Sequence, residues 1–162
     1  MRRIHSIALL SAATLASSFS NTETLDARQI RTSESTSRNI QSKDLKRSKM
    51  RVKIGPAVFA AKLNDNVTVT KLKSLLPLTL EMSELNGNEK YFHLPSELPT
   101  NAESPETIEC GDLMLWGNNS LVLFYKTFKT SYSYTRLGRI NDPSKLASAV
   151  GKVKVTVSFD LE

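Results

Sequence analysis

Apolar and polar residues alternate along much of the chain after Met50, which is the pattern of β-strands that bury one face. Residues 152–159 show it most regularly, because every second residue from Val153 onward is valine or phenylalanine. Eight segments are predicted to be strands by this pattern and by the turn residues between them: residues 51–54, 57–63, 78–82, 90–94, 113–116, 120–125, 137–140 and 152–159.

Two of these segments, residues 113–116 and 120–125, are apolar at nearly every position, and Gly117 begins the turn that joins them. A strand that does not alternate is expected to be buried on both faces. We therefore predict that this hairpin is the best-buried part of the domain. Asn86-Gly87 marks a second hairpin, because both residue types tolerate the positive φ of a tight turn.

Two short helices interrupt the strands. Residues 67–76 place apolar side chains at helical spacing, with Thr68 or Thr70 available as N-cap and Pro77 ending the helix. The second helix is expected to begin with Asp142 as its cap and Pro143 at the first position, and to end at Gly151. Its inward residues are expected to be Leu146, Ala149 and Val150.

Residues 95–109 contain three prolines and four glutamates, so they are predicted to form a long surface loop. Eight antiparallel strands and two helices within residues 50–162 favour a mainly β fold. We predict a closed eight-stranded barrel, because closure removes exposed strand edges, with one short helix capping each open end.

Five short motifs in this domain resemble those of the bacterial cyclophilin-like domain proteins. They are residues 84–91 (ELNGNEKY), 111–113 (GDL), 119–125 (NSLVLFY), 131–135 (SYSYT) and 137–140 (LGRI). The resemblance covers essentially all of residues 51–162 and implies a cyclophilin-like barrel of eight strands with two helices, in agreement with the pattern above.

Cyclophilins themselves are peptidyl-prolyl isomerases, and their catalytic pattern is not matched here. Phe92-His93 is followed by Leu94-Pro95 where that pattern has an arginine, and no glutamine occurs after Gln41. Trp116 lies in a predicted strand rather than in a later loop. No catalytic residue is therefore assigned, and enzymatic activity stays open.

A ligand-binding cleft on the side of the barrel is the expected site. Its predicted residues are Tyr91, Phe124, Phe128, Tyr134 and Arg136. The rings would form apolar walls, and the guanidinium would supply a donor. We expect a peptide or small-molecule ligand; the alternative is a divergent prolyl isomerase in which that donor stabilises the twisted amide.

Other chemistry has less support. The single cysteine, Cys110, and the scarcity of histidine argue against a metal site, and no phosphate-binding glycine loop or other cofactor motif occurs. Of the paired carboxylates, Glu103 and Glu106 lie in the proline-containing loop, whereas Glu84 flanks the rigid Asn86-Gly87 turn and is the more interesting acid.

The N-terminal residues have a different composition. Residues 1–5 are basic, residues 6–19 are apolar and uncharged, and small residues follow, which is the layout of a secretory signal peptide over residues 1–20. An amphipathic helix or mitochondrial presequence is the alternative. The apolar run of 14 residues is shorter than the roughly 20 that span a bilayer, so no integral membrane segment is expected after signal removal. The expected localisation is secreted or periplasmic.

Residues 21–49 are polar and basic and are predicted to be a disordered linker. Residues up to Met50 carry nine Lys/Arg and four Asp/Glu, so they hold +5 of the chain's net charge of +6. Because the remaining residues are nearly neutral, a nucleic-acid partner is not expected for the folded domain.

Overall fold

The computed structural model describes residues 48–162, which contain ten strands and two helices. The predicted leader, and the predicted linker up to residue 47, lie outside the described residues. The elements are β1 (Lys49–Ile54), β2 (Ala57–Leu63), α1 (Val67–Lys73), β3 (Leu78–Leu85), β4 (Glu89–His93), β5 (Thr107–Ile108), β6 (Asp112–Trp116), β7 (Ser120–Phe124), β8 (Phe128–Lys129), β9 (Thr135–Ile140), α2 (Leu146–Val150) and β10 (Val155–Leu161). Neither helix is long and apolar enough to cross a membrane.

Eight of the strands form a closed antiparallel barrel in the order β1-β10-β3-β4-β7-β6-β9-β2. The barrel closes where β1 pairs with β2, through registers such as Val52 with Phe59. Alternating residues of each strand point inward and pack into one core, which includes Val52, Phe59 and Phe159. The predicted mainly β class, the closed eight-stranded barrel and its two helices are confirmed.

The two helices lie at opposite ends of the barrel. Helix α1 follows the end of β2, and helix α2 follows the end of β9, which runs antiparallel beside β2. Leu72 of α1 and Leu146 of α2 are buried in the barrel core, so each helix covers apolar side chains at its own mouth.

Helix α1 begins two positions earlier than the nearer of the predicted threonine caps, Thr68, would place it. Its N-cap is Asn66, whose Oδ1 accepts a hydrogen bond of 2.8 Å from the Val69 backbone N–H. Thr68 instead donates its hydroxyl to the Pro99 carbonyl at 2.7 Å, which connects the helix to the loop between β4 and β5. The helix ends at Lys73, before the expected residue 76.

Helix α2 is shorter than predicted, because Asp142 accepts a hydrogen bond from the Ser144 backbone N–H in a preceding turn rather than capping the helix itself. The helix ends at Gly151, as expected, where φ is +60°. The last strand begins only at Val155, and Val153 is 72% exposed, so its predicted place on the buried face was wrong.

The outward face of β6 and β7 is also buried. Strands β5 and β8 form a separate two-stranded sheet, which corrects the expectation that residues 95–109 are loop throughout. A second apolar cluster accompanies this sheet on the outside of the barrel: Ile108, Met114, Val122, Phe124 and Tyr134, with Tyr91 and Phe128 packed against them. Burial of β6 and β7 on both faces confirms the prediction for this hairpin.

Candidate functional site

A cleft of about 430 Å³ opens on the outer face of the barrel, between strand β4 and the segment that contains β8. Its lining comes from four parts of the chain: the β3–β4 turn with β4, the end of β6, strand β7, and residues 128–134. The residues that carry its chemistry are Asn88, Glu89, Tyr91, His93, Trp116, Ser120, Val122, Phe128, Lys129, Tyr132 and Tyr134.

Strand register builds the floor of this cleft. Tyr91 of β4 and Met114 of β6 both pair with Val122 of β7, so the three side chains share the outward face. Phe124 lies two residues along β7 on the same face and is fully buried. Its ring centroid is 5.7 Å from that of Phe128 and 5.5 Å from that of Tyr134. Phe124 therefore supports the cleft wall from beneath.

The structure brings together four of the five predicted site residues. Tyr91, Phe128 and Tyr134 line the cleft, and Phe124 packs under the last two. Arg136 is exposed on β9, opposite Met114, and is not among the lining residues. Its backbone carbonyl accepts a hydrogen bond from Asn66 Nδ2 at 2.9 Å, at the N-terminus of helix α1.

Glu89 is the principal acidic residue that the sequence did not single out for this site. It is the first residue of β4 and lines the cleft, with only 8% of its surface exposed. Within residues 48–162 its side chain has no hydrogen bond or ion pair. Burial, together with repulsion by the Glu84 carboxylate, raises the pKa of Glu89 to about 7. The cleft thus holds a carboxyl group that is partly protonated at neutral pH.

A second acid, Glu84, lies beside the hairpin turn on the face of the sheet opposite to Glu89. It pairs with Lys90 across the β3–β4 hairpin, where Lys90 Nζ is 2.6 Å from Glu84 Oε2 and also donates to the Val153 carbonyl at 2.6 Å. Tyr125 donates its hydroxyl to Glu84 Oε1 at 2.8 Å, and the Gly87 backbone N–H donates at 2.9 Å.

The net effect of this network is to hold Glu84 in its charged form. Burial by itself raises the pKa of Glu84, but hydrogen bonds from Lys90 and Tyr125 and the charge of Lys90 together lower it by more, so the pKa lies below its ordinary value. Burial and the neighbouring Glu84 carboxylate raise the pKa of Tyr125 to about 12. Glu84 flanks the Asn86-Gly87 turn, but neither it nor its partners Lys90 and Tyr125 line the cleft.

Further polar groups line the cleft. His93 Nδ1 and Ser120 Oγ share a hydrogen bond of 2.7 Å between β4 and β7. Trp116 and Tyr132 are 51% and 66% exposed, and Lys129 is exposed on β8. Trp116 is the only tryptophan of the chain, so its fluorescence reports on this cleft alone.

A second depression, of about 500 Å³, contains Cys110 with Arg139 and Pro143. Burial raises the pKa of Cys110 despite the opposing charge of Arg139, so its reactive thiolate is disfavoured. Among residues 48–162, no group of three His, Cys, Asp or Glu side chains is arranged to hold a metal ion.

Glu89→Gln is expected to stabilise the protein at pH 8 and not at pH 4.5. The folded-state pKa of about 7 exceeds the ordinary 4.5, so folding favours the protonated acid; its contribution is fully present below pH 4.5 and is lost as the pH rises through 7. The full shift corresponds to roughly 3 kcal/mol, which water at the open cleft reduces, and we expect a gain of about 1–2 kcal/mol. Urea unfolding at both pH values measures it.

Glu97→Gln is the matched control, because Glu97 is exposed and does not line the cleft. Its stability relative to the parent protein should be the same at both pH values. An equal gain for Glu89→Gln at pH 4.5 and pH 8 would show that the pKa of Glu89 is not raised in the folded protein.

Comparison with known proteins agrees with this architecture. The solution structure of a hypothetical protein from Archaeoglobus fulgidus is similar to this chain with a TM-score of 0.56 and 19% sequence identity, covering 72% of this chain and 95% of that one. No curated protein matches the chain. Residues 52–162, which include all barrel strands except the start of β1, match the cyclophilin-like family. The chain therefore belongs to the cyclophilin-like family.

Proposed function

We propose that this chain is an exported protein whose cleft binds a short peptide or a small organic molecule that carries an aromatic or other apolar group. The observation that supports this most directly is the cleft of about 430 Å³, walled by Tyr91, Phe128, Tyr132 and Tyr134 beside an unpaired carboxyl group. Small-ligand sites are commonly concave and apolar with a few polar groups, and this cleft has that composition.

Export is supported by the sequence of the leader. A basic start, an uncharged apolar run over residues 6–19 and the small residues that follow are typical of signal peptides. N-terminal sequencing of the protein recovered outside the cytoplasm tests this part of the proposal. A chain that still starts at Met1 would contradict it.

Binding is favoured over isomerisation because of the groups that line the cleft. Rotation about an X-Pro bond is accelerated by a donor aimed at the twisted amide, and Arg136, the residue predicted for that role, is outside the lining. Membership of the cyclophilin-like family nevertheless makes a divergent prolyl isomerase the second candidate. Fold does not fix activity, so both are tested on the same peptide.

The test uses the full-length chain and the peptide acetyl-Ala-Phe-Pro-Ala-amide. We expect saturable quenching or enhancement of Trp116 fluorescence, because this side chain lines the cleft. Tyr132→Ala should weaken the affinity by about threefold to tenfold through loss of one aromatic contact, while its exposure makes the fold insensitive to the change. Val153→Ala, an exposed substitution outside the cleft, should leave the affinity unchanged.

The proline in this peptide separates the two candidates. Binding without any increase in cis–trans exchange, measured by exchange NMR, supports the binding protein. Exchange clearly above the uncatalysed rate, reduced in Tyr132→Ala, would establish the isomerase instead. A peptide that changes neither the fluorescence nor the exchange rate would contradict both.

A further inference from the structure

We propose that the cleft selects ligands that carry a protonated amine, and that the carboxylate of Glu89 is the counterion of that amine. This inference rests on the proposed function, because it names the chemical class of ligand for the same cleft. The Glu89 side chain, the unpaired acceptors near it and the aromatic walls support it independently of the family.

The first support is the isolation of Glu89. A side chain that is 92% buried is expected to pair its charge, yet Glu89 has no donor within the described residues. Its backbone is fixed by pairing with Phe124 of β7, so the side chain is held at the cleft by a rigid strand. A buried acceptor without a donor inside the protein is satisfied when a ligand supplies one.

The second support is the residue that precedes Glu89 in the chain. Asn88 also lines the cleft, and its Oδ1 is buried without a hydrogen-bond partner. Two consecutive residues of the lining thus carry acceptors without donors, which favours a ligand rich in N–H groups. An ammonium group has three such donors and no acceptor, so it suits the unpaired carboxylate of Glu89 better than a hydroxyl does.

The third support is the aromatic composition of the cleft lining. Rings of Tyr91, Trp116, Phe128, Tyr132 and Tyr134 surround the cleft on several sides. The negative face of an aromatic ring attracts a cation, most strongly where water is excluded. An organic cation would therefore be stabilised by the walls as well as by Glu89.

The charged and titratable groups around Glu89 are compatible with this assignment. Lys90 faces the other side of β4 and is paired with Glu84, and the Tyr125 hydroxyl is donated to Glu84 as well. Lys129 on β8 forms no ion pair with Glu89, and His93 is bonded to Ser120.

Tyr134 also faces Glu89, whose charge is one reason, after burial, that the pKa of Tyr134 is raised. The lowered pKa of Glu84 keeps negative charge near Glu89, and this charge favours a cationic rather than an anionic ligand. A bound cation in turn favours the ionised form of Glu89, so affinity for an amine should increase as the pH rises through 7.

The test compares three molecules of nearly equal size: 2-phenylethylamine, 2-phenylethanol and 3-phenylpropionate. Each is titrated into the full-length chain at pH 5.5 and pH 8, with Trp116 fluorescence and NMR chemical shifts as readouts. The amine remains protonated at both values, because alkyl ammonium groups have a pKa of about 10. At pH 8 we expect it to bind at least about tenfold more tightly than the alcohol, and the propionate to bind most weakly.

Two variants assign the preference to one residue. Glu89→Gln should make the amine and the alcohol bind alike at pH 8, whereas Glu97→Gln should preserve the tenfold preference. In the parent protein the preference should fall below about threefold at pH 5.5, where Glu89 is protonated.

The outcomes distinguish this inference from the proposed function. Equal binding of amine and alcohol to the parent protein at pH 8 would overturn the amine selectivity and leave the apolar cleft as a binding site. A preference that survives in Glu89→Gln would overturn the role of Glu89. Failure of all three molecules and of the proline peptide to bind would overturn both proposals.

Discussion

Lys90→Met is expected to lower the free energy of unfolding by about 3 kcal/mol, measured by urea denaturation at pH 7. Lys90 is fully buried, and its Nζ is shared between the Glu84 carboxylate and the Val153 carbonyl. Methionine fills similar space but leaves both acceptors without their donor. Removing one partner of a buried ion pair costs roughly 3–5 kcal/mol, and the partial exposure of Glu84 places this case at the lower end.

Two comparisons isolate the cause. The double substitution Glu84→Gln with Lys90→Met removes both charges and should recover at least about 1 kcal/mol of the loss. Arg51→Met breaks the exposed pair of Arg51 with Asp160, whose atoms are 3.4 Å apart, and should cost less than about 1 kcal/mol. A cost for Lys90→Met no greater than that of Arg51→Met would mean that the buried pair does not stabilise the barrel end.

Gly138→Ala is expected to destabilise the protein by about 3 kcal/mol, the upper end of the usual cost of overpacking. A Cβ atom at this position would clash with the Lys62 carbonyl oxygen and would lie 3.1 Å from the Leu63 Cα. Both atoms belong to backbone, so neither can rotate away. The clash falls where β9 pairs with β2 over only three residue pairs, and the ring is continuous only if this pairing forms.

Gly55→Ala is the control for this prediction. Gly55 has a φ of +55° and no atom within 4 Å of the added Cβ, so alanine there should cost only about 1–2 kcal/mol through backbone strain. Thermal or urea unfolding of both variants measures the difference. If Gly138→Ala were as stable as Gly55→Ala, the close approach of β2 and β9 would not be rigid.

The barrel was predictable because its strands follow a local rule. Segments such as β1 and β10 alternate strictly, and the inward residues found in the core are those that the alternation selects. Strands β5 and β8 escaped prediction because each has only two residues, too few to establish a period. Their pairing depends on a contact between residues about 20 positions apart, which no local pattern records.

The candidate site was predictable only in its aromatic part. Tyr91 lies on a strand, and Phe128 and Tyr134 lie in a polar segment. Large rings in such positions are expected to pack against other apolar groups, as these do in the outer cluster. Glu89 was missed because a glutamate beside a hairpin turn is usually solvated. The residues that line the cleft with it include 128–134, which are distant in sequence. Arg136 was assigned to the cleft as a donor beside the rings of Phe128 and Tyr134, whereas the lining ends at Tyr134.

Lys90 illustrates the same limit within a strand. It shares the inward face with Phe92, which the alternation shows, but a lysine there contradicts the usual preference for apolar residues. The signal that was available is the opposite charge of Glu84 at the paired position across the Asn86-Gly87 turn. Complementary charges at directly opposed positions of a hairpin are evidence of a cross-strand pair.

The position of β10 between β1 and β3 has a consequence for biosynthesis. Without β10 this ring stays open, so β1 and β3 each lack a pairing partner on one edge until residues 155–161 have left the ribosome. Exposed edges of this kind recruit other chains and promote aggregation. Loss of the last few residues of this strand would therefore affect solubility during synthesis before it affected the cleft, which lies on the far side of β3.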